Sequence, residues 1–252
     1  MSTLLISDLH LYPGAPELSR RFLEWLDTRA RGSEALFILG DFFDAWIGDD
    51  LLDLDDEPTG HARLARQVAD ALRDLSDDGT ALYIMHGNRD FLIGQRFASA
   101  AGATLLDDPS VVSLGGQPVL LMHGDSLCTG DEAYQAFRVQ ARDDQWQRQI
   151  LSLPIPERLT LARSLREQSG EATSNKAEAI MDVTPDEVVR IMQDYGVLTL
   201  IHGHTHRPAV HELEIDGQPA RRLVLGDWQP GQGWEIEVDR AGQPELRAFP
   251  LD

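Results

Sequence analysis

Five short apolar segments, each followed by polar residues beside a glycine, constrain the fold of this chain more than any other feature. They span residues 3–6, 35–39, 81–85, 118–121 and 197–201. Their length and composition are typical of buried β-strands. Functional sites in open α/β sheets lie at the carboxyl ends of the strands. The pattern therefore predicts an α/β fold in which these polar groups meet at one edge.

The polar groups contain seven side chains of types that bind metal ions. They are Asp8, His10, Asp41, Asn88, His123, His204 and His206. Asp8 and His10 are two residues apart, so both would point to the same side of an extended segment, and His204 and His206 repeat that spacing. Carboxylate, amide and imidazole ligands without a thiolate suit Mn²⁺, Mg²⁺, Fe²⁺ or Zn²⁺. Seven ligands exceed the needs of one ion, so we expect two ions that share Asp41.

The order of these motifs, Asp-x-His, Gly-Asp, Gly-Asn, His and Gly-His-x-His, resembles the calcineurin-like metallophosphoesterase superfamily. One position departs from the usual pattern, because Arg89 follows Asn88 where the superfamily usually has histidine. Turn signals at 115–116 and 216–217 predict hairpins, which two sheets covered by helices would accommodate. The resemblance likewise implies a four-layer α/β/β/α sandwich. We expect a single domain over residues 1–252 with a helical insertion at about 129–181.

The resemblance also implies two Mn²⁺ ions, although other divalent ions are possible. The first would be held by Asp8, His10, Asp41 and His206, and the second by Asp41, Asn88, His123 and His204. The catalytic residues that it implies are Asp41, Asn88, Arg89 and His123. The substrate contacts that it implies are Asn88, Arg89, Asp131, Ser169, Thr173, Lys176 and His204. Arg89 has the planar guanidinium that matches a phosphate group.

The segments 41–50, 86–92 and 201–208 resemble one branch of the superfamily, which acts in lipid A biosynthesis in Gram-negative bacteria. This resemblance implies that UDP-2,3-diacylglucosamine is hydrolysed to UMP and 2,3-diacylglucosamine 1-phosphate. A hydroxide that bridges the two metals would attack the α-phosphorus. The resemblance further implies a cytoplasmic protein held at the periphery of the inner membrane, on its cytoplasmic face. It implies neither a nucleic-acid partner nor an obligate protein partner.

The helical insertion combines apolar residues with a concentration of arginine in an otherwise acidic chain. Helical patterns cover 131–153, 156–168 and 175–181. Arginine occurs at Arg138, Arg142, Arg148, Arg158, Arg163 and Arg166. One interpretation is an ordinary helical hairpin packed on the core. The other is a lid with an apolar floor and a basic rim, which would suit an amphipathic anionic lipid.

Composition excludes several classes of protein. The net charge of −20, from 22 basic and 42 acidic residues, argues against general nucleic-acid binding. Cys128 is the only cysteine, so the chain has no internal disulfide and fits a reducing compartment. The first predicted strand begins almost at Met1, so we expect no signal peptide. No apolar segment reaches the roughly 18 residues of a membrane span.

Two alternative functions remain open at this point. The first is a phosphoesterase of the same fold that acts on a water-soluble substrate, against which the helical insertion argues. The second is a non-enzymatic scaffold, which would be expected to lose ligands, whereas all seven are present here. Metal analysis would separate the second alternative from an enzyme.

Other polar residues have supporting or structural interpretations. Asp44, Asp90 and Asp125 are candidates to orient the metal ligands. His202 is expected in the core or behind a ligand. The acidic run at 49–57 is expected to be a solvated loop, although Asp49 and Asp50 could support the metal shell. Structural roles are expected for His61, His86, His211 and Cys128.

Overall fold

Two β-sheets packed face to face form the centre of the fold. The computed structural model describes residues 2–55, 58–174 and 182–251, with the backbone alone described at 168–174. The first sheet contains β1 (Thr3–Ile6), β2 (Ala35–Leu39), β3 (Ala81–Met85), β4 (Ala103–Leu106), β10 (Gly231–Val238) and β11 (Pro244–Leu251). The second sheet contains β5 (Ser110–Leu114), β6 (Gln117–Leu121), β7 (Thr199–His202), β8 (Ala209–Ile215) and β9 (Gln218–Val224). The strand orders are β11-β10-β1-β2-β3-β4 and β5-β6-β7-β9-β8.

Helices lie on the outer faces of the two sheets and in the insertion. They are α1 (Pro16–Trp25), α2 (His61–Asp77), α3 (Gln95–Ala101), α4 (Glu132–Ala141), α5 (Asp144–Leu151), α6 (Ile155–Ser174) and α7 (Pro185–Tyr195). A π-helical segment, Leu26–Ala30, continues α1, and short 3-10 turns span Asp49–Asp53 and Asp125–Leu127. Within the described ranges, no helix combines the length and apolarity that crossing a bilayer requires.

Three apolar layers separate the sheets and helices, which confirms the predicted α/β/β/α sandwich. The first sheet packs against α1, α2 and α3 through a cluster that includes Leu4, Phe22, Ile38, Leu72 and Phe97. The facing sides of the two sheets meet through Leu5, Phe37, Leu121, Ile201 and Leu223. The second sheet packs against α7 through Leu120, Val188, Met192 and Leu200. The polar edge that carries the site therefore rests on buried strands.

Helix α2 shows how local sequence determines these layers. Its apolar residues Leu64, Val68, Leu72 and Leu75 recur at helical spacing, and all four are buried against the first sheet. The same spacing in the sequence predicts a helix over residues 60–76, and α2 confirms it with its bounds shifted by one residue. At the end of α3, Gly102 adopts a left-handed φ of 69° and terminates the helix, the role that a glycine after a helical pattern predicts.

The acidic run at 49–57, predicted to be a solvated loop, is exposed at Asp53 and Asp55 but begins with a 3-10 turn, Asp49–Asp53, that packs on the fold. Leu51 is buried, and the Asp49 carboxylate accepts hydrogen bonds from the indole of Trp46 at 3.0 Å and from the backbone N–H groups of Gly94 and Phe97, both at 2.9 Å. Asp49 thus caps α3 from a distant part of the chain. The sequence pattern predicts a helix that begins at residue 91, and the Asp49 contacts explain why α3 begins at Gln95 instead. Asp49 therefore has a structural role.

The predicted helix over residues 131–153 is divided into α4 and α5. Asp143 ends the first helical pattern and begins the second, because its side chain accepts a hydrogen bond from the Trp146 N–H at 2.8 Å. Helix α6 then extends to Ser174, beyond the predicted end at 168. The predicted helix at 175–181 lies outside the described residues. The strand β4 was not predicted.

We expect Asp49→Ala to lower the free energy of unfolding by about 1–2 kcal/mol, since loss of a helix cap has this magnitude. Urea unfolding followed by circular dichroism would measure the change. The control is Asp70→Ala, which removes an exposed carboxylate from α2. Equal stability of the two variants would show that the Asp49 contacts contribute nothing to the fold.

Candidate metal centre

The carboxyl ends of strands from both sheets meet at one edge of the sandwich. Backbone pairing continues past the strand ends, since the His10 N–H donates to the Asp41 carbonyl at 2.9 Å. The two sheets are joined directly where the His204 N–H donates to Oδ2 of Asp8 at 2.9 Å. The loops after β1, β2 and β7 are therefore held together by backbone pairing and by the Asp8 carboxylate.

The first half of the site contains Asp8, His10 and His206. Oδ1 of Asp8 lies 3.4 Å from Nε2 of His206, and Nε2 of His10 lies 3.3 Å from the same nitrogen. Oδ1 of Asp8 and Nδ1 of His10 are buried without a hydrogen-bond partner among the described residues. Buried polar atoms are normally paired, so this arrangement suits a cation that supplies the missing partner.

The second half contains Asn88, His123 and His204. Oδ1 of Asn88 lies 3.0 Å from Nε2 of His123 and 2.9 Å from Nδ1 of His204. Nδ1 of His123 lies 2.9 Å from the carbonyl oxygen of Leu39, which can only accept, so this nitrogen carries the proton. The lone pair of Nε2 is thereby directed into the site, as in histidines that ligate metals.

Asp41 lies between the two halves. Its Oδ2 is 3.9 Å from Nδ1 of His10, and its Oδ1 is 3.7 Å from Nε2 of His123. The backbone N–H of Arg89 donates to Oδ1 at 2.9 Å and fixes the carboxylate. Two compact groups of ligand atoms result, one of Asp8, His10 and His206 and one of Asp8, Asp41 and His123. Asp8 belongs to both groups, so it is central to the site together with Asp41.

The backbone at the site is left-handed, and the extended conformation that we expected for the paired ligands is wrong. Asp8, His10, Asp41, His204 and His206 have φ values of 56°, 50°, 50°, 68° and 54°. Non-glycine residues rarely adopt this conformation, which costs free energy and is concentrated at functional sites. The side chains converge because the chain turns sharply after each strand, which simple alternation along a strand cannot produce.

A close backbone approach is also required beside Asp41. A Cβ atom at Gly87 would overlap the backbone nitrogen and Oδ1 of Asp41. Glycine at this position lets the loop after β3 lie directly against the loop after β2. Asp90 joins the same loops, because its buried carboxylate accepts from the N–H groups of Phe42 and Gly87, both at 2.7 Å. These contacts position Asn88 beside Asp41.

The charges of the site favour a bound cation. Burial and the nearby carboxylates of Asp90 and Asp8 raise the pKa of Asp41 to about 7, although the charge of His123 opposes the shift. Burial would lower the pKa of His123, but the charges of Asp41, Asp125 and Asp8 together outweigh it and raise that pKa to about 9. A cation that binds Nε2 of His123 must therefore displace a proton from this ring. Burial lowers the pKa of His10 to about 3 and that of His204 to about 4, so both are neutral ligands at pH 7. The donor set, the unpartnered atoms and the buried negative charge fit divalent cations.

His202 lies behind the ligands, as expected. It is fully buried, its Nδ1 donates to the Gly203 carbonyl at 2.8 Å, and Nη1 of Arg222 lies 3.1 Å from its Nε2. Burial and the charge of Arg222 lower the pKa of His202 to about 3, so the ring is neutral and Nε2 accepts. His202 therefore supports the turn that carries His204 and is directed away from the metal site.

A buried polar network attaches α4 to the metal centre. Arg138 donates to Asp125 at 2.9 Å and to Asp108 at 3.1 Å, and the Tyr134 hydroxyl also donates to Asp125. The ring of Tyr134 stacks on that of His204 with 6.1 Å between centroids. The roles of Tyr134 and Asp108 were not predicted, because no local pattern connects Arg138 to a carboxylate 30 residues away.

A cavity of about 330 Å³ opens beside the metal centre. It lies between the loops after β2 and β3 and the helices α4, α5 and α6. Its apolar wall includes Trp46, Ile47, Phe91, Phe137, Trp146, Ile150, Leu161 and Leu165. Asn88, Arg89 and Asp131 line it next to the metal centre, and Arg166 lines the side formed by α6. The insertion therefore forms an apolar cavity with a polar end.

Arg89 faces this cavity but is held by carboxylates. Its guanidinium lies 3.1 Å from Asp44 and 3.6 Å from Asp41. Asp44 also pairs with Arg166 of α6, whose guanidinium lies 5.7 Å from the ring centre of Tyr12. Asp44 thus joins the metal-site loop to the insertion. It does not itself face the cluster of metal ligands.

Only some of the predicted substrate contacts lie among the described side chains. Asp131 caps α4 through the Tyr134 N–H at 3.1 Å and also lines the cavity. The side chains of Ser169 and Thr173 and the whole of Lys176 lie outside the described residues. Leu161 lines the cavity, whereas Leu159 packs on the cluster of Ile47, Leu51 and Ala62. An apolar floor that includes Leu159 is therefore excluded.

Known proteins similar to this chain share its length. The family model described as calcineurin-like phosphoesterase matches residues 1–208. A UDP-2,3-diacylglucosamine hydrolase of Chromohalobacter salexigens is 63% identical over 249 residues, which cover 99% of this chain and 98% of that protein. The protein of the same name from Pseudomonas aeruginosa strain PAO1 is 56% identical and covers 100% of both chains. That of Marinobacter nauticus is 53% identical and covers 100% of this chain and 99% of its own.

Proposed function

The chain belongs to the calcineurin-like phosphoesterase family, among the UDP-2,3-diacylglucosamine hydrolases, and we propose that it cleaves the pyrophosphate of that nucleotide-linked lipid. The products are UMP and 2,3-diacylglucosamine 1-phosphate. The observation that carries the proposal is the position of an apolar cavity directly beside a cluster of seven side chains of types that bind metals. The cavity accepts the acylated sugar, and the cluster lies where the pyrophosphate must be held.

We assign two divalent cations, Mn²⁺ in particular, to the site. Asp8, His10, Asp41 and His206 hold one ion, and Asp41, Asn88, His123 and His204 hold the other. When bound, such ions polarise phosphoryl oxygens and lower the pKa of water. The chain's own contribution is to fix the ligands. Asp41 joins the two halves, and Asn88 has its amide oxygen within 3.0 Å of two imidazoles.

Arg89 is the candidate phosphate contact. It lies next to Asn88, lines the cavity, and carries no acceptor atom, so it cannot hold a cation itself. Its pairing with Asp44 at 3.1 Å directs the guanidinium plane before substrate arrives. A preorganised donor that faces developing negative charge stabilises the transition state. Arg89 therefore neutralises charge on the transferred phosphoryl group, without acting as a ligand.

The helical insertion holds the acyl chains, and the whole chain forms one domain around it. Burial of apolar acyl groups against Phe137, Trp146 and Leu165 is favourable by roughly 25 cal/mol for each Å² removed from water. Two apolar side chains of the insertion, Val139 and Leu151, are 74% and 40% exposed and are suited to contact with a lipid surface. We assign the chain to the cytoplasmic face of the inner membrane as a peripheral protein.

Turnover of UDP-2,3-diacylglucosamine with Mn²⁺, compared with UDP-sugars that lack acyl chains, tests the proposed function. We expect the acylated substrate to be hydrolysed with a much higher kcat/KM, and UMP to be released. Comparable hydrolysis of a water-soluble dinucleotide would instead support a phosphoesterase with soluble substrates. A purified protein that retains no metal and stays inactive when Mn²⁺ is added would support the scaffold alternative.

We expect Arg89→Ala to reduce kcat/KM for the lipid substrate by about 10²–10³-fold, the effect of removing one transition-state donor. Metal content should stay at the wild-type level, because Arg89 is not a ligand. Inductively coupled plasma analysis on the assayed preparation would measure it. Arg89→Lys should recover little activity, since a point charge does not reproduce the planar fork.

The control for this variant is Arg63→Ala, which removes an exposed arginine from α2 and should retain wild-type activity. If metal content fell in proportion to activity in Arg89→Ala, the role of Arg89 would be to support the ligands. The assigned phosphate contact would then be wrong.

We expect Leu161→Asp to raise KM for the lipid substrate by at least about tenfold, because an unpaired carboxylate is costly to bury against acyl chains. Hydrolysis of a small chromogenic phosphodiester by the same preparation should change little. Thr160→Asp is the matched control, since it adds the same charge on the exposed face of α6, one residue away. Equal losses on both substrates in Leu161→Asp would show that the insertion serves stability alone.

A further inference from the structure

A second cavity, of about 230 Å³, lies on the outer face of the second sheet. We name it the Arg222 cavity. Its polar lining residues are Asp182, Thr205, Arg207, His211 and Arg222. None of them is a metal ligand assigned above. None of them lines the cavity of about 330 Å³ beside the metal centre, which we name the acyl cavity. The volume exceeds what a single water molecule or a bare ion occupies, so the cavity has room for part of an organic ligand.

The Arg222 cavity adjoins the metal centre through the chain itself. Thr205 lies between His204 and His206, and Arg207 follows directly. The acyl cavity, by contrast, is lined by Asn88 and Arg89 from the loop after β3 and by the insertion. The two cavities share no lining residue among those described. A ligand that spans the metal centre could therefore have one end in each.

Two polar side chains of this cavity, those of Thr205 and Arg222, can still bind a ligand. Oγ1 of Thr205 is buried and has no hydrogen-bond partner among the described residues. Arg222 forms no ion pair within the described part of the chain, and its contact is with the neutral ring of His202 at 3.1 Å. Burial lowers the pKa of Arg222, and the charge of Asp182 in the same cavity opposes this shift only in part. A buried hydroxyl without a partner and a guanidinium without an ion pair both favour an anionic, hydrogen-bonding ligand.

The third feature is a carboxylate in the same cavity. Asp182 pairs with Arg207 at 2.6 Å. Among the described residues, it is the only acidic side chain that lines the cavity. A carboxylate repels free phosphate but accepts hydrogen bonds from ribose hydroxyls, the contact by which acidic residues recognise nucleotides elsewhere. Arginine donors with one carboxylate therefore favour a nucleoside monophosphate over inorganic phosphate.

We propose that the Arg222 cavity binds the uridine monophosphate half of the substrate and retains UMP after cleavage. This inference rests on the proposed function. The acylated sugar and the nucleoside diverge from the pyrophosphate, so a substrate whose lipid half fills the acyl cavity needs a separate surface for its nucleoside. Arg222 and Thr205 contact the nucleotide, and Asp182 recognises its ribose.

Binding of UMP to the Mn²⁺-loaded protein, measured by calorimetry, tests the inference independently of lipid turnover. Thr205→Val replaces an unpartnered hydroxyl by a methyl group of similar shape, so the melting temperature should not fall. We expect the Kd for UMP to rise about 3- to 10-fold in Thr205→Val, the effect of one hydrogen bond. It should rise about 10- to 100-fold in Arg222→Gln, since a charged donor is lost.

The matched control is Arg221→Gln, which removes the same charge from the neighbouring position of β9, where the side chain points to the opposite face. It should bind UMP as the wild type does. Steady-state kinetics provide a second test. If the nucleoside contacts are equal in ground and transition states, Arg222→Gln should raise KM for the lipid substrate with kcat nearly unchanged.

Three results would overturn the inference. The first is UMP affinity in Arg222→Gln and Thr205→Val equal to that of the wild type. The second is an equal weakening of UMP and inorganic phosphate, which would make the cavity a general anion site. The third is wild-type protein that does not bind UMP. Failure of the proposed function would give a different result. The wild type would then not hydrolyse the lipid substrate, whatever its affinity for UMP.

Discussion

Two buried carboxylates, Asp8 and Asp41, carry negative charge that the surrounding structure must compensate. Both are almost inaccessible to water, 0% and 2% exposed, and lie where the two sheets meet. Burial of negative charge is unfavourable unless it is compensated. Burial would raise the pKa of Asp8, but the charges of His206, His123 and His10 together outweigh burial and lower it, whereas the pKa of Asp41 is raised. A pair of divalent cations would compensate both groups, which explains why histidines from three loops surround them.

Arginines connect the insertion to this centre and so couple the two parts of the site. Arg138 of α4 pairs with Asp125, which lies two residues after His123, and Arg142 donates to the Gly87 carbonyl at 2.9 Å beside Asn88. Arg158 of α6 is 3% exposed and pairs with Asp50. These contacts place the acyl cavity at a fixed position relative to the metal ligands. Arg138, Arg142 and Arg158, predicted to form a basic rim, therefore attach the insertion to the core. Arg166, which lines the cavity, comes closest to the predicted rim.

The sequence predicted the layers and the position of the site for a simple physical reason. Short apolar strands must be buried on both faces, and polar residues just beyond their ends then collect at one edge. The conformation of the ligands could not be predicted in this way. Left-handed backbone at Asp8 or His204 is determined by the neighbouring loops, which no local pattern encodes. The same limit applies to the contact of Asp49 with Gly94, 45 residues away, and to that of Asp108 with Arg138, 30 residues away.

Anomalous diffraction from crystals grown with Mn²⁺ tests the central claim most directly. The account predicts two manganese peaks, one beside His10 and His206 and one beside Asn88 and His123, with the Asp41 carboxylate between them. A single peak, or peaks away from Asp41, would contradict it.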